Sequence, residues 1–209
     1  MNIPAGLPDF RESLFRRATF QRRGPRAAFA TSILLGCAVF GVAVLPVAVQ
    51  AQRPMQAKDL QPFKSMVYNV AFSYPKKDWV AVPAAGGNIA LLMHKKGEAS
   101  LALDFQLLRV ALAPDEIDDT FKEIELEVLA QRAPHARVLS SELSDIDGNK
   151  VVVIRYGASG LTGDLDVTQY SVVSGASLYR LTCAATRAKA AVHAPACETA
   201  ARTLVVGKS

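Results

Sequence analysis

The stretch that decides the fold runs from Ile146 to Ala185 and reads IDGNKVVVIRYGASGLTGDLDVTQYSVVSGASLYRLTCAA. Near its start, Asp147-Gly148 favours the tight turn of a β-hairpin, because both residue types tolerate a positive φ. The segments that follow are apolar or alternate between apolar and polar residues, a pattern typical of strands. A second turn is predicted at Ser174-Gly175. The stretch therefore predicts three antiparallel strands, at Lys150–Tyr156, Asp164–Val173 and Ala176–Ala184.

The sequence on either side predicts further strands and two helices. Pro114 is followed by four carboxylates within five residues, which is typical of a helix amino terminus. Apolar residues then recur every three or four positions, and this helix should end before Pro134. A last helix is predicted at Pro195–Leu204. The other predicted strands are Met66–Ser73, Trp79–Val82, Ile89–His94, Ser100–Val110 and Arg137–Leu143. We therefore predict an α+β domain with a central antiparallel β-sheet flanked by helices.

An export signal is predicted at the amino terminus. An uninterrupted apolar run spans residues 27–51, behind six arginines, and it ends in small residues that suit cleavage before Gln52. The run is also long enough to cross a bilayer, so an uncleaved amino-terminal anchor is the alternative. A lipoprotein reading at Cys37 is disfavoured, because the residues after it stay apolar or small. The predicted organisation is a signal peptide at 1–51, a flexible linker at 52–62 and a single domain at 63–209.

The basic charge of the chain belongs mainly to this leader. The whole sequence carries a formal net charge of +5, but residues 1–51 hold six arginines against Asp9 and Glu12. The remainder is close to neutral, and nucleic-acid binding therefore has no support from charge. We predict a periplasmic or secreted protein of one domain; if the leader is retained, it would be tethered to the inner membrane by a single anchor.

Two cysteines remain after removal of the leader, Cys183 and Cys197. An even pair outside the cytosol predicts one disulfide. Bridging residues 14 positions apart would contribute about 3 kcal/mol in the chain-entropy treatment. The spacing differs from the close Cys-x-x-Cys pair of redox enzymes, so a structural role is predicted.

Several segments together resemble a known family. They are FSYPKKDW at Phe72–Trp79, IDGNKVVVIRY at Ile146–Tyr156, and TQYSVVSGASLYRLTCAA at Thr168–Ala185. In these segments the chain is similar to the PsbP-like group, which includes extrinsic photosystem II proteins, DcrB-type envelope proteins and Ran-release-factor relatives. The resemblance covers about residues 63–206. It implies a central antiparallel sheet flanked by helices, an α-β-α sandwich, and a non-enzymatic binding or assembly role.

No catalytic or metal-binding motif stands out along the chain. The three histidines, His94, His135 and His193, lie far apart in sequence with no ligand-like spacing, so each is expected in a solvent-exposed loop. Gly157, Gly160 and Gly163 precede a strand and not a helix, which favours a flexible hairpin loop over a phosphate cradle. We therefore predict no catalytic residue, no cofactor and no metal ligand.

The first helix is strongly acidic, and this could provide a surface for a cation or a basic partner. A solvated helix face is the simpler interpretation and the one we predict. Its acidic residues are Asp115, Glu116, Asp118, Asp119, Glu123, Glu125 and Glu127.

Export, the family resemblance and the lack of a catalytic motif predict an exported, non-enzymatic envelope protein with a binding or assembly role. Its partner is expected to be another envelope protein, with no nucleic acid involved and a membrane tether only if the leader is retained. The alternative is a small-molecule or metal-binding periplasmic protein with a site between sheet and helix.

Overall fold

The computed structural model describes residues 57–84, 87–160 and 163–207, and the predicted signal peptide lies outside them. The described chain contains nine strands and two α-helices. The strands are β1 (Leu60–Ser65), β2 (Val70–Pro75), β3 (Trp79–Ala81), β4 (Asn88–His94), β5 (Ala99–Leu112), β6 (Arg137–Ile146), β7 (Asn149–Gly160), β8 (Gly163–Thr186) and β9 (Val205–Val206). The helices are α1 (Asp119–Arg132) and α2 (Ala190–Arg202). The predicted α+β class is confirmed.

The strands form two antiparallel sheets. The larger has six strands in the order β3-β4-β5-β8-β7-β6, and the smaller has three in the order β1-β2-β9. Asp147-Gly148 forms the predicted turn between β6 and β7, with positive φ at both residues. The Gly148 N–H donates to Oδ1 of Asp145 at 2.9 Å, which helps to fix this turn.

Alternate residues of the large sheet enter two separate hydrophobic cores. Val151 and Val153 of β7 pack in the core that also contains the buried alanines of α2 and the apolar residues of β2. Val152 and Ile154 pack in the core that contains Phe121 and Leu129 of α1. The alternation follows from the two-residue period of a strand. Helix α1 therefore belongs to one core, and helix α2 with the small sheet belongs to the other.

The predicted hairpin at Ser174-Gly175 is wrong, because β8 continues through it as one strand of 24 residues. Residues 163–172 pair with β7, whereas residues 175–185 pair with β5. Gly175 has a φ of 59°. At this residue the alternation of side chains between the two faces of the sheet shifts by one position, and the chain direction does not reverse. Val167 and Val173 before this point share a core with Leu178 and Ala184 after it.

The amino-terminal boundary also differs from the prediction. Residues 60–62, predicted as linker, lie in β1 and pair with residues 73–75 of β2. This edge strand is mostly exposed and contains Pro62, so it lacks the alternation that identifies a half-buried strand. The predicted strand at Met66–Ser73 begins only at Val70, because residues 66–69 form the turn and Asn69 has a φ of 48°.

The helices are shifted along the chain from their predicted positions. Residues 114–116 form a short 3-10 turn, and α1 begins after Asp118, whose carboxylate accepts hydrogen bonds from the N–H groups of Thr120 and Phe121. Helix α2 begins five residues before Pro195, which lies inside it. Among residues 57–84, 87–160 and 163–207, neither helix is long and apolar enough to cross a bilayer.

The glycines predicted as a flexible loop belong to the sheet. Gly157 and Gly160 lie in β7, Gly163 begins β8, and Gly160 pairs with Gly163 across the hairpin. A Cβ at Gly160 would lie 2.8 Å from a side-chain carbon of Leu165. Close packing therefore accounts for this glycine, and the phosphate-cradle alternative has no structural basis.

Candidate metal centre and adjoining groove

Two histidines that are distant in sequence meet beside one carboxylate. His94 ends β4, Glu98 lies in the turn before β5, and His193 lies in α2. Nε2 of His193 is 3.4 Å from Oε2 of Glu98, and Nδ1 of His94 is 3.8 Å from the same oxygen. The ring centroids of the two histidines are 4.5 Å apart. We call these three residues the histidine cluster.

Both histidines of the cluster are buried, which corrects the prediction of exposed loop residues. Their side chains are 10 % and 7 % exposed for His94 and His193, while Glu98 is 28 % exposed. Only His135 lies in an exposed turn, as predicted for all three. The rings are buried because β3 and α2, which are distant in sequence, pack together at this point. The spacing of the histidines along the chain does not reveal this packing. Nδ1 of His94 is buried without a hydrogen-bond partner among the described residues, a state that costs about 1–3 kcal/mol.

Trp79, at the start of β3, packs against both imidazole rings. Its ring centroid lies 5.8 Å from that of His94 and 6.0 Å from that of His193, with interplanar angles of 69° and 88°. Trp79 is itself only 6 % exposed. The edge-on aromatic contacts restrict the orientations of both rings. Imidazole and carboxylate groups held together in this way are ligand types that suit a zinc ion.

A groove runs between helix α2 and the sheet, next to this cluster. It consists of two adjoining cavities of about 290 and 280 Å³ that share Arg155, Tyr170 and Glu198. The larger cavity is also lined by His193, so the histidine cluster and the groove share a residue. A site between sheet and helix was the location predicted for a small-molecule or metal ligand.

The lining of the groove carries more negative than positive charge. Five carboxylates and two guanidinium groups line the two cavities. The carboxylates are those of Glu142, Asp145, Asp147, Asp166 and Glu198, and the guanidinium groups are those of Arg155 and Arg202. Arg155 pairs with Glu142 at 3.1 Å, and Arg187 outside the groove pairs with Asp166 at 3.2 Å. The groove is therefore suited to a positively charged ligand.

Cys183 and Cys197 line the same groove as neighbours. Both are free thiols in this structure, and Cys183 is buried. Burial raises the pKa of the Cys183 thiol well above its usual value, and a hydrogen bond with Cys197 raises it further. A catalytic thiol needs the opposite shift. The contact brings the two residues predicted to form a disulfide together, and the disulfide itself stays a prediction.

A second buried polar cluster lies on the α1 side of the sheet. Both oxygens of Glu125 accept hydrogen bonds from Arg180, Oε1 from Nη2 at 2.7 Å and Oε2 from Nε at 2.8 Å. The hydroxyl of Ser171 donates to Oε2 at 2.6 Å. Glu125 and Arg180 are each 1 % exposed. The prediction that the acidic residues form a solvated face is therefore wrong for Glu125, because its partner comes from a distant strand.

The guanidinium of Arg180 also has polar partners on the side facing away from Glu125. It donates through Nη1 to Oε1 of Gln106 at 2.9 Å, and Oδ1 of Asp104 lies 3.7 Å from Nη1. Burial lowers the pKa of Arg180, but the hydrogen bonds with Glu125 and the negative charges of Glu125 and Asp104 outweigh it and raise the pKa overall. The guanidinium of Arg180 therefore stays charged in the interior.

The sequence contained one local sign of the histidine cluster. His94 and Glu98 are four residues apart, on either side of the turn between β4 and β5, so a contact between their side chains could be expected. His193 is 95 residues from Glu98, and only the packing of α2 brings it to this turn.

Comparison with known proteins identifies the fold. No protein-family model matches the chain, and no curated protein matches it. The solution structure of cyanobacterial PsbP (CyanoP) from Synechocystis sp. PCC 6803 matches with a TM-score of 0.56, covering 83% of this chain and 99% of that one. The domain has a PsbP-like fold. This confirms the predicted resemblance at the level of structure.

A second solved structure shares the PsbP-like fold. It is a protein from Bacteroides thetaiotaomicron, with a TM-score of 0.53, and the match covers 72% of this chain and 50% of that one. Sequence identity is 14% in both comparisons. Similarity at this level concerns the fold, and function has to be argued from the residues of this chain.

Proposed function

We propose that this protein is an exported, non-enzymatic binding protein of the cell envelope. Its ligand is a positively charged segment of another envelope protein, held in the groove between α2 and the sheet. The observation that carries the proposal is the excess of carboxylates over guanidinium groups along the two adjoining cavities of about 290 and 280 Å³. Complementary charge steers a partner towards such a surface and selects against acidic competitors.

Export is the part of this proposal that rests on sequence alone. Residues 27–51 form the apolar run behind six arginines, and small residues precede Gln52. In the periplasm the neighbouring Cys183 and Cys197 would be oxidised to a disulfide. We also include in the proposal the α-β-α arrangement of the PsbP-like group. It is supported by the packing of Phe121 of α1 and Ala200 of α2 in separate cores.

A binding role without catalysis is supported by the chemistry of the groove. While Cys183 is reduced, burial holds its thiol in the protonated form, which is a weak nucleophile, and a disulfide would leave no thiol for catalysis. Tyr170, which lines both cavities, has a pKa raised by burial and by nearby negative groups, so it too stays protonated. These groups can contact a ligand, but neither is activated for attack on one.

Site-specific photo-cross-linking in the native envelope tests the proposal. A photoreactive residue replacing Glu198, an exposed residue that lines both cavities, should give a discrete protein adduct. The matched control replaces Glu123, an exposed glutamate of α1. Adducts of equal yield from both positions, or from position 123 alone, would contradict the proposed site. Adding Glu142→Lys and Asp145→Lys should reduce the adduct from position 198.

A further inference from the structure

The histidine cluster shows two independent signs of a ligand. One ligand atom from each of His94, Glu98 and His193 lies within 4.8 Å of the other two. Nδ1 of His94 is buried without a hydrogen-bond partner among the described residues, and its side chain is only 10 % exposed. Buried polar atoms in folded proteins nearly always have a partner, so an unpaired nitrogen aimed at a carboxylate calls for an explanation.

We propose that His94, Glu98 and His193 form a binding site for one zinc ion. Imidazole nitrogen and carboxylate oxygen are both common zinc ligands, and three protein ligands with one solvent position form an established type of zinc coordination. Two neutral imidazoles and one carboxylate leave a bound Zn²⁺ with a net charge of +1. A water molecule or an anion completes the coordination.

Two of the three separations between ligand atoms are close to those that zinc requires, and the third lies within 4.8 Å. Bonds of about 2.0–2.1 Å in a tetrahedral arrangement place neighbouring ligand atoms about 3.3 Å apart. Oε2 of Glu98 is 3.4 Å from Nε2 of His193 and 3.8 Å from Nδ1 of His94. Small side-chain adjustments therefore bring the three atoms onto one ion. The same ion would provide the missing partner for Nδ1 of His94.

The donor set also selects among metals. Mg²⁺ and Ca²⁺ prefer shells made entirely of oxygen, whereas two of the three donors here are imidazoles. Zn²⁺ suits this combination, and Co²⁺ can replace it as a spectroscopic probe. The ion would connect the turn between β4 and β5 to helix α2, two elements whose ligands are 95 residues apart in the case of Glu98 and His193. Zinc should therefore raise the unfolding temperature of the domain.

The chain provides its own optical reporter of this site. It contains a single tryptophan, Trp79, whose ring packs against both histidine rings. Binding of paramagnetic Co²⁺ at the cluster should quench the fluorescence of Trp79, and added Zn²⁺ should reverse the quenching by competition. Since protons compete with metal for imidazole nitrogens, the affinity for zinc should fall as the pH decreases.

The test uses the protein as isolated from its native cell, stripped of metal with a chelator. Titration with Zn²⁺ by calorimetry, and with Co²⁺ by tryptophan fluorescence, should each saturate at one equivalent. His193→Gln and His94→Gln should each weaken zinc binding by at least about 100-fold, because loss of even an outer-shell partner costs about 10–100-fold. The matched control is His135→Gln, the exposed third histidine, which should bind zinc as the wild type does.

Two further measurements keep the test decisive if a histidine variant folds poorly. Glu98→Gln changes a more exposed ligand and should weaken zinc binding while the far-ultraviolet circular dichroism stays unchanged. The Co²⁺ complex should show visible bands of tetrahedral coordination without the intense near-ultraviolet band of a cobalt–thiolate bond. That band would assign the metal to Cys183 and Cys197 and overturn the proposal. Failure of the wild type to bind one equivalent, or equal affinities in His193→Gln and His135→Gln, would also overturn it.

Discussion

Helix α1 is joined to the sheet through Glu125, and helix α2 is joined to it through His193. Both residues are almost completely buried, at 1 % and 6 % exposure. Glu125 accepts three hydrogen bonds of 2.6–2.8 Å from Arg180 and Ser171. Among the described residues His193 has one polar side-chain contact, with Glu98 at 3.4 Å, and the neighbouring Nδ1 of His94 has no hydrogen-bond partner.

The difference between these clusters is the basis for assigning a structural role to Glu125 with Arg180 and for proposing a binding role for the histidine cluster. A buried ion pair is stable when its hydrogen-bonding capacity is filled, and Glu125 with Arg180 meets this condition. Oδ1 of the neighbouring Asp104 is buried without a hydrogen-bond partner among the described residues, so the contrast concerns Glu125 and Arg180 themselves. The histidine cluster leaves capacity unfilled in a rigid setting formed by Trp79. A polar cluster that only held the helix in place would be expected to resemble the first one. Substitutions on the α1 and α2 sides of the sheet test this difference between the two clusters.

The largest expected effect comes from breaking the α1 cluster. Glu125→Gln keeps the shape of the side chain but leaves the guanidinium of Arg180 buried without its bidentate partner. We expect the free energy of unfolding to fall by about 3–5 kcal/mol, measured by urea denaturation. The matched control is Glu123→Gln, an exposed residue on the same helix, which should change it by less than about 0.5 kcal/mol.

A double variant extends this first test. Replacing both partners, with Glu125→Leu and Arg180→Met, removes the buried charges together and should restore much of the stability. Ser171 and Gln169 then lose an acceptor, so recovery should be incomplete. If Glu125→Gln were no more harmful than Glu123→Gln, the view of the α1 cluster as a structural pair would be contradicted.

The next largest effect concerns the thiols on the α2 side. If Cys183 and Cys197 form the predicted disulfide, Cys197→Ser should lower the free energy of unfolding by about 3 kcal/mol under oxidising conditions. The same substitution should have a much smaller effect in the presence of a reductant, because the cross-link is then absent from both proteins. Intact mass provides the check, since an oxidised chain is two hydrogens lighter. Equal effects with and without reductant would argue for packing alone.

The elements that were predicted well are those encoded by neighbouring residues. Asp147-Gly148 forms the expected turn because its conformation depends on two adjacent residues that tolerate positive φ. Gly175 also has a positive φ, but it lies inside a continuous strand, where it changes which residues face each side of the sheet. The outcome depends on which strands pair with β8 on either side. Local sequence does not carry that information.

The buried polar clusters were missed for a related reason. Glu125 belongs to a run of acidic residues that looks solvated, and its partner Arg180 is 55 residues further along the chain. His94 and Glu98 are close in sequence, but His193 is needed to complete the cluster. Each cluster forms only when a helix packs on the sheet. A single sequence therefore contains the residues but does not indicate that they are in contact.

The helix amino termini should show a smaller difference. Asp118 caps α1 by accepting hydrogen bonds from Thr120 and Phe121, whereas Lys189 at the start of α2 provides no side-chain cap. Asp118→Ala should therefore lower the free energy of unfolding by about 1 kcal/mol. Lys189→Ala should change it by less than about 0.5 kcal/mol. Urea denaturation of the two variants against wild type measures both, and a larger loss at Lys189 would contradict this view of the capping.

The smallest expected effect compares two buried tyrosines at alkaline pH. Burial is the main cause that raises the pKa of Tyr170 in the groove; the charge of Glu198 raises it further, and that of Arg155 opposes it. Burial also raises the pKa of Tyr156 in the α1 core, but the charge of Arg132 opposes that shift. A raised pKa in the folded state favours the neutral form. Its stabilising effect is complete below the unfolded pKa, near 10, and is lost as the pH rises above it.

Replacing each tyrosine with phenylalanine measures these losses separately. Wild type should lose up to about 0.8 kcal/mol of stability through Tyr170 between pH 8 and pH 10.5, because the unfolded chain releases a proton that the folded chain keeps. Tyr170→Phe should remove that part of the loss, and Tyr156→Phe should remove less. Urea denaturation at the two pH values gives the comparison. An equal or larger effect for Tyr156→Phe would contradict the expectation that the pKa of Tyr170 is the more strongly raised of the two.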